Sequence, residues 1–91
     1  MKYEIVPSNQ FRKDLRLAQK RGYDLDKIKR VIRTLADGDA LEARYRDHRL
    51  TGDYNGFREC HIQPDWLLVY QIDGERLLLF LARTGTHGDL F

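Results

Sequence analysis

The segment Phe57-Arg58-Glu59-Cys60-His61-Ile62-Gln63, then Pro64-Asp65, then Trp66-Leu67-Leu68-Val69-Tyr70-Gln71-Ile72-Asp73-Gly74 reads as two strands and their turns. Residues 57–63 follow a period of two, the signature of a strand. Pro64-Asp65 is a turn. Residues 66–72 are apolar over strand length, and Asp73-Gly74 is a hairpin signal because both residue types accept positive φ. Residues 75–83 then form a third strand, giving an antiparallel meander. Upstream, residues 2–6 read as a short strand closed by Pro7, which cannot donate to a ladder. Ser8 is an N-cap for a helix over 9–21, with Phe11, Leu15 and Ala18 at helical spacing and Gly22 as its stop. Asp24 starts a second helix whose apolar stripe is Leu25, Ile28, Ile32 and Leu35, and Asp37-Gly38-Asp39 ends it. A three-residue connection predicts an antiparallel helical hairpin. The predicted fold is α+β: an N-terminal strand, a helical hairpin, then a three-stranded antiparallel meander with the helices on one sheet face. Residues 39–55 and the tail 84–91 read as irregular.

A chain of 91 residues is one domain, 1–91. No apolar run reaches the length of a membrane span. The N-terminus lacks the long apolar region of a signal peptide. The one cysteine, Cys60, cannot form an internal disulfide, and a reducing cytoplasm is its natural setting. Net charge is +2 but unevenly spread. Residues 1–33 hold ten Lys/Arg against four Asp/Glu, a balance of +6; residues 34–91 hold six against ten, a balance of −4. A basic half suits a polyanion or an acidic partner, and equally a solvated helical face.

The three histidines, at 48, 61 and 87, lie beside turns or near strand ends. Cleaving RNA without a metal needs a base for the 2′-OH, an acid for the leaving 5′-oxygen, a cation for the phosphorane and an in-line substrate. Histidine suits the first two roles because its ordinary pKa is about 6.5. Arginine suits the third because its planar fork matches phosphate oxygens, and Arg83 ends the third strand. Asp65 is a candidate to orient an imidazole, to act as a base, or simply to turn the chain after Pro64. Trp66 reads as core or as a platform for a base. The spacing 48, 61, 65, 87 matches no compact metal motif, and no cofactor is expected. Strand order predicts that the end of the third strand lies away from the start of the second, so Arg83 and the tail must reach across the sheet face. Composition and spacing alone define a small basic α+β domain, with RNA binding as one reading.

The pieces Asp47-His48-Arg49-Leu50, Cys60-His61-Ile62-Gln63-Pro64-Asp65-Trp66 and Arg83-Thr84-Gly85-Thr86-His87-Gly88-Asp89-Leu90-Phe91 occur in that order. Together they resemble the YafQ branch of the RelE/ParE toxin superfamily, and the likeness extends over nearly the whole chain. The resemblance implies the toxin of a type II toxin–antitoxin module. It implies an endoribonuclease that cuts mRNA in the ribosomal A site and leaves a 2′,3′-cyclic phosphate. Its site residues fall on His48, His61, Asp65 and His87, with Arg83 as phosphate contact and Phe91 at the tail. Within that set His87 is the expected general acid, Asp65 or His48 the base, and His61 a phosphate contact or second base. Partners implied are a cognate antitoxin in a hetero-oligomeric complex, the ribosome and mRNA, with no membrane. Lys13, Arg16, Lys20, Arg21, Lys27 and Arg30 become candidate contacts to ribosomal RNA phosphates. Non-catalytic ParE-like toxins acting on gyrase, and metal-dependent nucleases, are the competing classes.

Overall fold

The structure, a computed structural model, describes residues 1–91. Its elements are β1 (Glu4–Pro7), α1 (Asn9–Lys20), α2 (Leu25–Ala36), β2 (His48–Arg49), β3 (Arg58–Gln63), β4 (Trp66–Asp73), β5 (Leu78–Gly85) and α3 (His87–Leu90). Single 3-10 turns occur at Ala43–Tyr45 and Gly52–Tyr54. One sheet runs in the order β1-β5-β4-β3-β2, with β1 parallel to β5 and every other pair antiparallel.

Local chemistry sets the helices. The Ser8 hydroxyl accepts the Phe11 N–H at 2.9 Å, the capping bond that starts α1. Gly22, at φ +81°, lets the Tyr23 N–H turn back to the Ala18 carbonyl and close the helix. The Asp24 carboxylate caps α2 through the Asp26 N–H. Phe11 and Ala18 of α1 and Ile28, Val31, Leu35 and Ala36 of α2 are buried against Cys60, Ile62, Trp66, Leu68, Tyr70, Leu79 and Leu81 of the sheet. Val31 takes the fully buried place in α2, while Ile32 is half-buried beside it.

The sheet carries a second, smaller core. Leu67 and Val69 face away from the helices and pack with Leu90, Leu50, Tyr54, Phe57 and Ala82. Residues 66–70 are therefore buried on both faces, which is why their sequence is continuously apolar rather than alternating.

Several sequence expectations change. Pro7 lies inside β1, which an edge strand tolerates because the missing N–H faces no neighbour. The meander is part of a five-stranded mixed sheet, extended by β1 on one side and the two-residue β2 on the other. The hairpin after β4 is not a two-residue turn. The Asp73 carboxylate accepts the N–H groups of both Glu75 and Arg76, and Leu77, at φ +56°, takes the left-handed position, so β5 begins only at Leu78. The tail is ordered rather than irregular. The last residues of β5 reach Gly85, and α3 follows with a reciprocal cap between Thr86 and Asp89.

Candidate active site

Antiparallel pairing puts the end of β3, the start of β4 and the end of β5 at the same end of the sheet. His61 lies opposite Leu67, and Leu67 lies opposite Gly85. The tail therefore meets Asp65 directly and does not cross the sheet, correcting the expectation that strand order separates them. On the far side of β3, His48 of β2 is the register partner of Glu59. Glu59 and His61 alternate with buried Cys60 and Ile62, so they leave β3 on the face away from the helices.

The three imidazoles gather there. The His48 and His61 ring centroids are 6.3 Å apart, and those of His61 and His87 are 5.7 Å apart. Each ring is held through Nδ1. His48 Nδ1 donates to the Arg46 carbonyl at 2.7 Å, and His61 Nδ1 to the Pro64 carbonyl at 3.2 Å. His87 Nδ1 donates to Asp65 Oδ1 at 2.6 Å, and the same oxygen accepts the His87 backbone N–H at 3.0 Å. Carbonyls and an ionised carboxylate only accept, so Nδ1 carries the proton in all three rings and Nε2 is left to exchange one. The His87 backbone and ring N–H bonds hold the Asp65 carboxyl below its ordinary range, so it is ionised whenever His87 works.

Glu59 is the residue that sequence reasoning missed. Its buried carboxylate lies 3.6 Å from His48 Nε2 and 3.7 Å from His61 Nε2. The signal was available: a carboxylate two places before a histidine in a period-two strand shares its face. Glu59, His61 and His87 also offer donor atoms all within 4.8 Å of one another. That mixed nitrogen and oxygen set suits zinc or copper, although the sequence spacing matches no metal motif.

The other candidates separate. Arg83 makes no hydrogen bond to the imidazoles. Its Nε and Nη2 grip Asp14 of α1 at 2.8 and 3.3 Å, and the Thr84 N–H donates to the same carboxylate at 3.1 Å. The hydrogen bonds from Arg83 to Asp14 raise its guanidinium pKa further above its ordinary value. A bulge in β5 lets Thr84 take the inward place, where its hydroxyl accepts from Trp66 Nε1 at 2.9 Å and donates to the Leu67 carbonyl at 2.6 Å. Trp66 is 1% exposed, so no ring face remains for a base and its place is in the core. Phe91 is 59% exposed, its ring edge-on to Tyr54 at 5.4 Å. Lys13, Arg16 and Lys20 are exposed on α1 and lie outside the imidazole cluster. Arg21, read from sequence as an RNA contact, is occupied by a two-bond ion pair to Asp89 at 2.6 and 3.2 Å. Cys60 is fully buried and its thiol pKa is pushed strongly upward by that burial, which makes it a poor nucleophile.

The turn bearing His87 is thus tied at two points, by Asp65 and by Asp89. The Arg21 hydrogen bonds, followed by the Thr86 backbone N–H, depress the Asp89 carboxyl strongly. Gly85 leaves the space this needs, since a Cβ there would sit 2.9 Å from Asp89 Oδ2. Carboxyls depressed in the folded state stabilise it above their unfolded pKa, about 3.9, and lose that contribution as pH falls through the lower folded values. The turn is therefore expected to stay docked at pH 5 and to loosen only below about pH 4. The amide resonances of His87 and Asp89, followed from pH 7 to pH 2, measure this; release near pH 6 would contradict it.

Several solved structures that share this architecture are bacterial toxins. One is the Escherichia coli DinJ-YafQ toxin-antitoxin complex, at 41% identity and TM-score 0.89, with 100% of this chain and 99% of that chain covered. Another is a metal-bound toxin from Helicobacter pylori, at 45% identity and TM-score 0.92, covering 98% and 99%. In sequence the chain is 44% identical to the mRNA interferase toxin YafQ of Escherichia coli K12 over 89 residues, 97% of this chain and 95% of that protein. The family described as "Bacterial toxin of type II toxin-antitoxin system, YafQ" matches residues 3–91, and the chain belongs to it.

Proposed function

We propose that this chain is an mRNA interferase, an endoribonuclease that cuts ribosome-bound mRNA by acid–base attack of the 2′-OH on the adjacent phosphate. The observation that carries the reading is the convergence of three imidazoles, each fixed through Nδ1 with Nε2 available for proton transfer. His87 is the general acid. Asp65 positions it, because both contacts from Asp65 Oδ1 go to His87 and none to the other rings. His48 is the general base, and Glu59 stabilises the imidazolium formed when it takes the 2′-OH proton. O2′ then bonds to phosphorus and the P–O5′ bond breaks. His87 starts as the imidazolium, with Nδ1–H held by Asp65, and the departing O5′ takes its Nε2 proton, leaving neutral His87, a 2′,3′-cyclic phosphate and a 5′-OH.

His61, between the two other rings, donates to a phosphate oxygen when protonated. Arg83 is the phosphate contact once the substrate phosphate draws its guanidinium from Asp14, and the exposed Phe91 ring offers a stacking face to a base. Lys13, Arg16 and Lys20 form a separate basic surface on α1 suited to ribosomal RNA phosphates. No metal takes part in these steps. The Escherichia coli relative is seen in complex with an antitoxin, and a cognate antitoxin is the partner proposed here. No helix is long and apolar enough to cross a membrane; the proposed target, mRNA on the ribosome, places the action in the cytoplasm.

The test is an mRNA carrying one 2′-deoxy residue at the cut position on programmed ribosomes. Cleavage there is expected to disappear while all-ribose mRNA is cut. Equal cleavage of both would refute attack by the 2′-oxygen.

A further inference from the structure

Beside His61 the surface opens into a trough of about 530 Å³, a volume within the range that encloses small ligands. Its walls include Lys27 and Arg30 of α2, Arg44 and Arg46 around the first 3-10 turn, Tyr45 and His61 itself. No carboxylate lines it. Lys27, Arg30 and Arg46 form no ion pair within the chain, and Arg44 reaches only the exposed Glu42, at 3.4 Å. Four cations gathered in one concavity repel one another, a cost that a bound anion removes.

Part of the wall is fixed in advance. The Arg44 guanidinium lies over the Tyr45 ring at 4.7 Å and donates to its hydroxyl at 2.8 Å. Arg46 holds a left-handed backbone, φ +50°, which aims its carbonyl at His48 Nδ1 while its side chain lines the trough. Pro64 does the same on the other side, lining the trough and accepting from His61 Nδ1. The groups that orient two working imidazoles are therefore also the trough's wall.

The geometry points to a phosphate-binding subsite: the trough holds the backbone phosphate of the mRNA nucleotide next to the cut, between Lys27, Arg30 and Arg46. This rests on the nuclease reading above and adds to it a contact to a phosphate other than the one being cut. Ribosomal RNA offers the same phosphate chemistry, but the trough shares His61 with the cleavage site, which favours the strand being cut. The subsite fixes register along that strand and keeps the scissile phosphate in line with the imidazoles.

The probe is ribosomes carrying an mRNA with a 2′-deoxy residue at the cut, set beside empty ribosomes. Wild type and the exposed-residue variant Lys27→Gln/Arg30→Gln/Arg46→Gln are compared at fixed magnesium over a range of KCl. On programmed ribosomes the variant is expected to bind about tenfold more weakly, with a salt slope lower by roughly 2, near 0.7 for each lost single-strand contact. On empty ribosomes the two proteins should bind alike. An equal loss on both would assign the trough to ribosomal RNA, and no loss on either would leave it without a ligand; each overturns the proposal. Wild-type cleavage of all-ribose mRNA, run in parallel, reports on the nuclease reading separately.

Discussion

Replacing His87 with alanine is expected to slow mRNA cleavage by roughly 10²–10⁴-fold, the usual contribution of a general acid. The ring is 53% exposed and packs into neither core, so the melting temperature should hardly move. The effect belongs in kcat, since a proton given to the departing 5′-oxygen is transferred only in the transition state. Asp65→Asn separates positioning from proton transfer. It keeps an acceptor for Nδ1 but removes the negative charge, so the loss should be smaller and the pH profile should shift. Single-turnover rates across pH measure both. A His87→Ala protein cutting at the wild-type rate would remove this residue from the chemistry.

Trp66→Ala is expected to fail differently, through the fold. The indole is buried, meets Tyr23 edge-to-face at 4.9 Å and donates to Thr84 at 2.9 Å. Truncating such a side chain costs about 3–5 kcal/mol. A domain of this size has roughly 5–14 kcal/mol of total stability. The melting temperature should fall by at least about 12 °C, taking about 4 °C per kcal/mol. Thermal unfolding followed by circular dichroism measures it. A variant that keeps its melting temperature and instead raises KM would restore Trp66 as a platform for the nucleobase.

Local signals in the chain were readable and long-range ones were not. Ser8, Gly22 and Asp24 act within a few residues of themselves, and the helices start and stop where those residues say. The alternation of residues 57–63 likewise predicts β3 closely. The start of β5 moved because the side chain of Asp73, rather than the backbone, took two N–H groups of the turn. The tail was misread because its order depends on partners far away in the chain, Asp65 for His87 and Arg21 for Asp89. Arg83 is the same case. Asp14 lies 69 residues away, and no spacing rule pairs them. Of the site, the histidines and Asp65 stood out as residue types suited to proton transfer. Glu59, Arg44 and Arg46 did not, and Lys27 and Arg30 were legible only as part of the basic helical half, since the meaning of all five comes from β2–β3 pairing and from α2 lying beside the first 3-10 turn.

The most direct measurement is the chemistry of the ends left on cut mRNA. Attack by the 2′-oxygen with His87 protonating O5′ predicts a 2′,3′-cyclic phosphate upstream and a 5′-hydroxyl downstream, read by ligase and kinase sensitivity of the fragments. Fragments ending in a 3′-hydroxyl and a 5′-phosphate would mean that water, not the ribose, attacked the phosphorus, and the acid–base account of the imidazole cluster would be wrong.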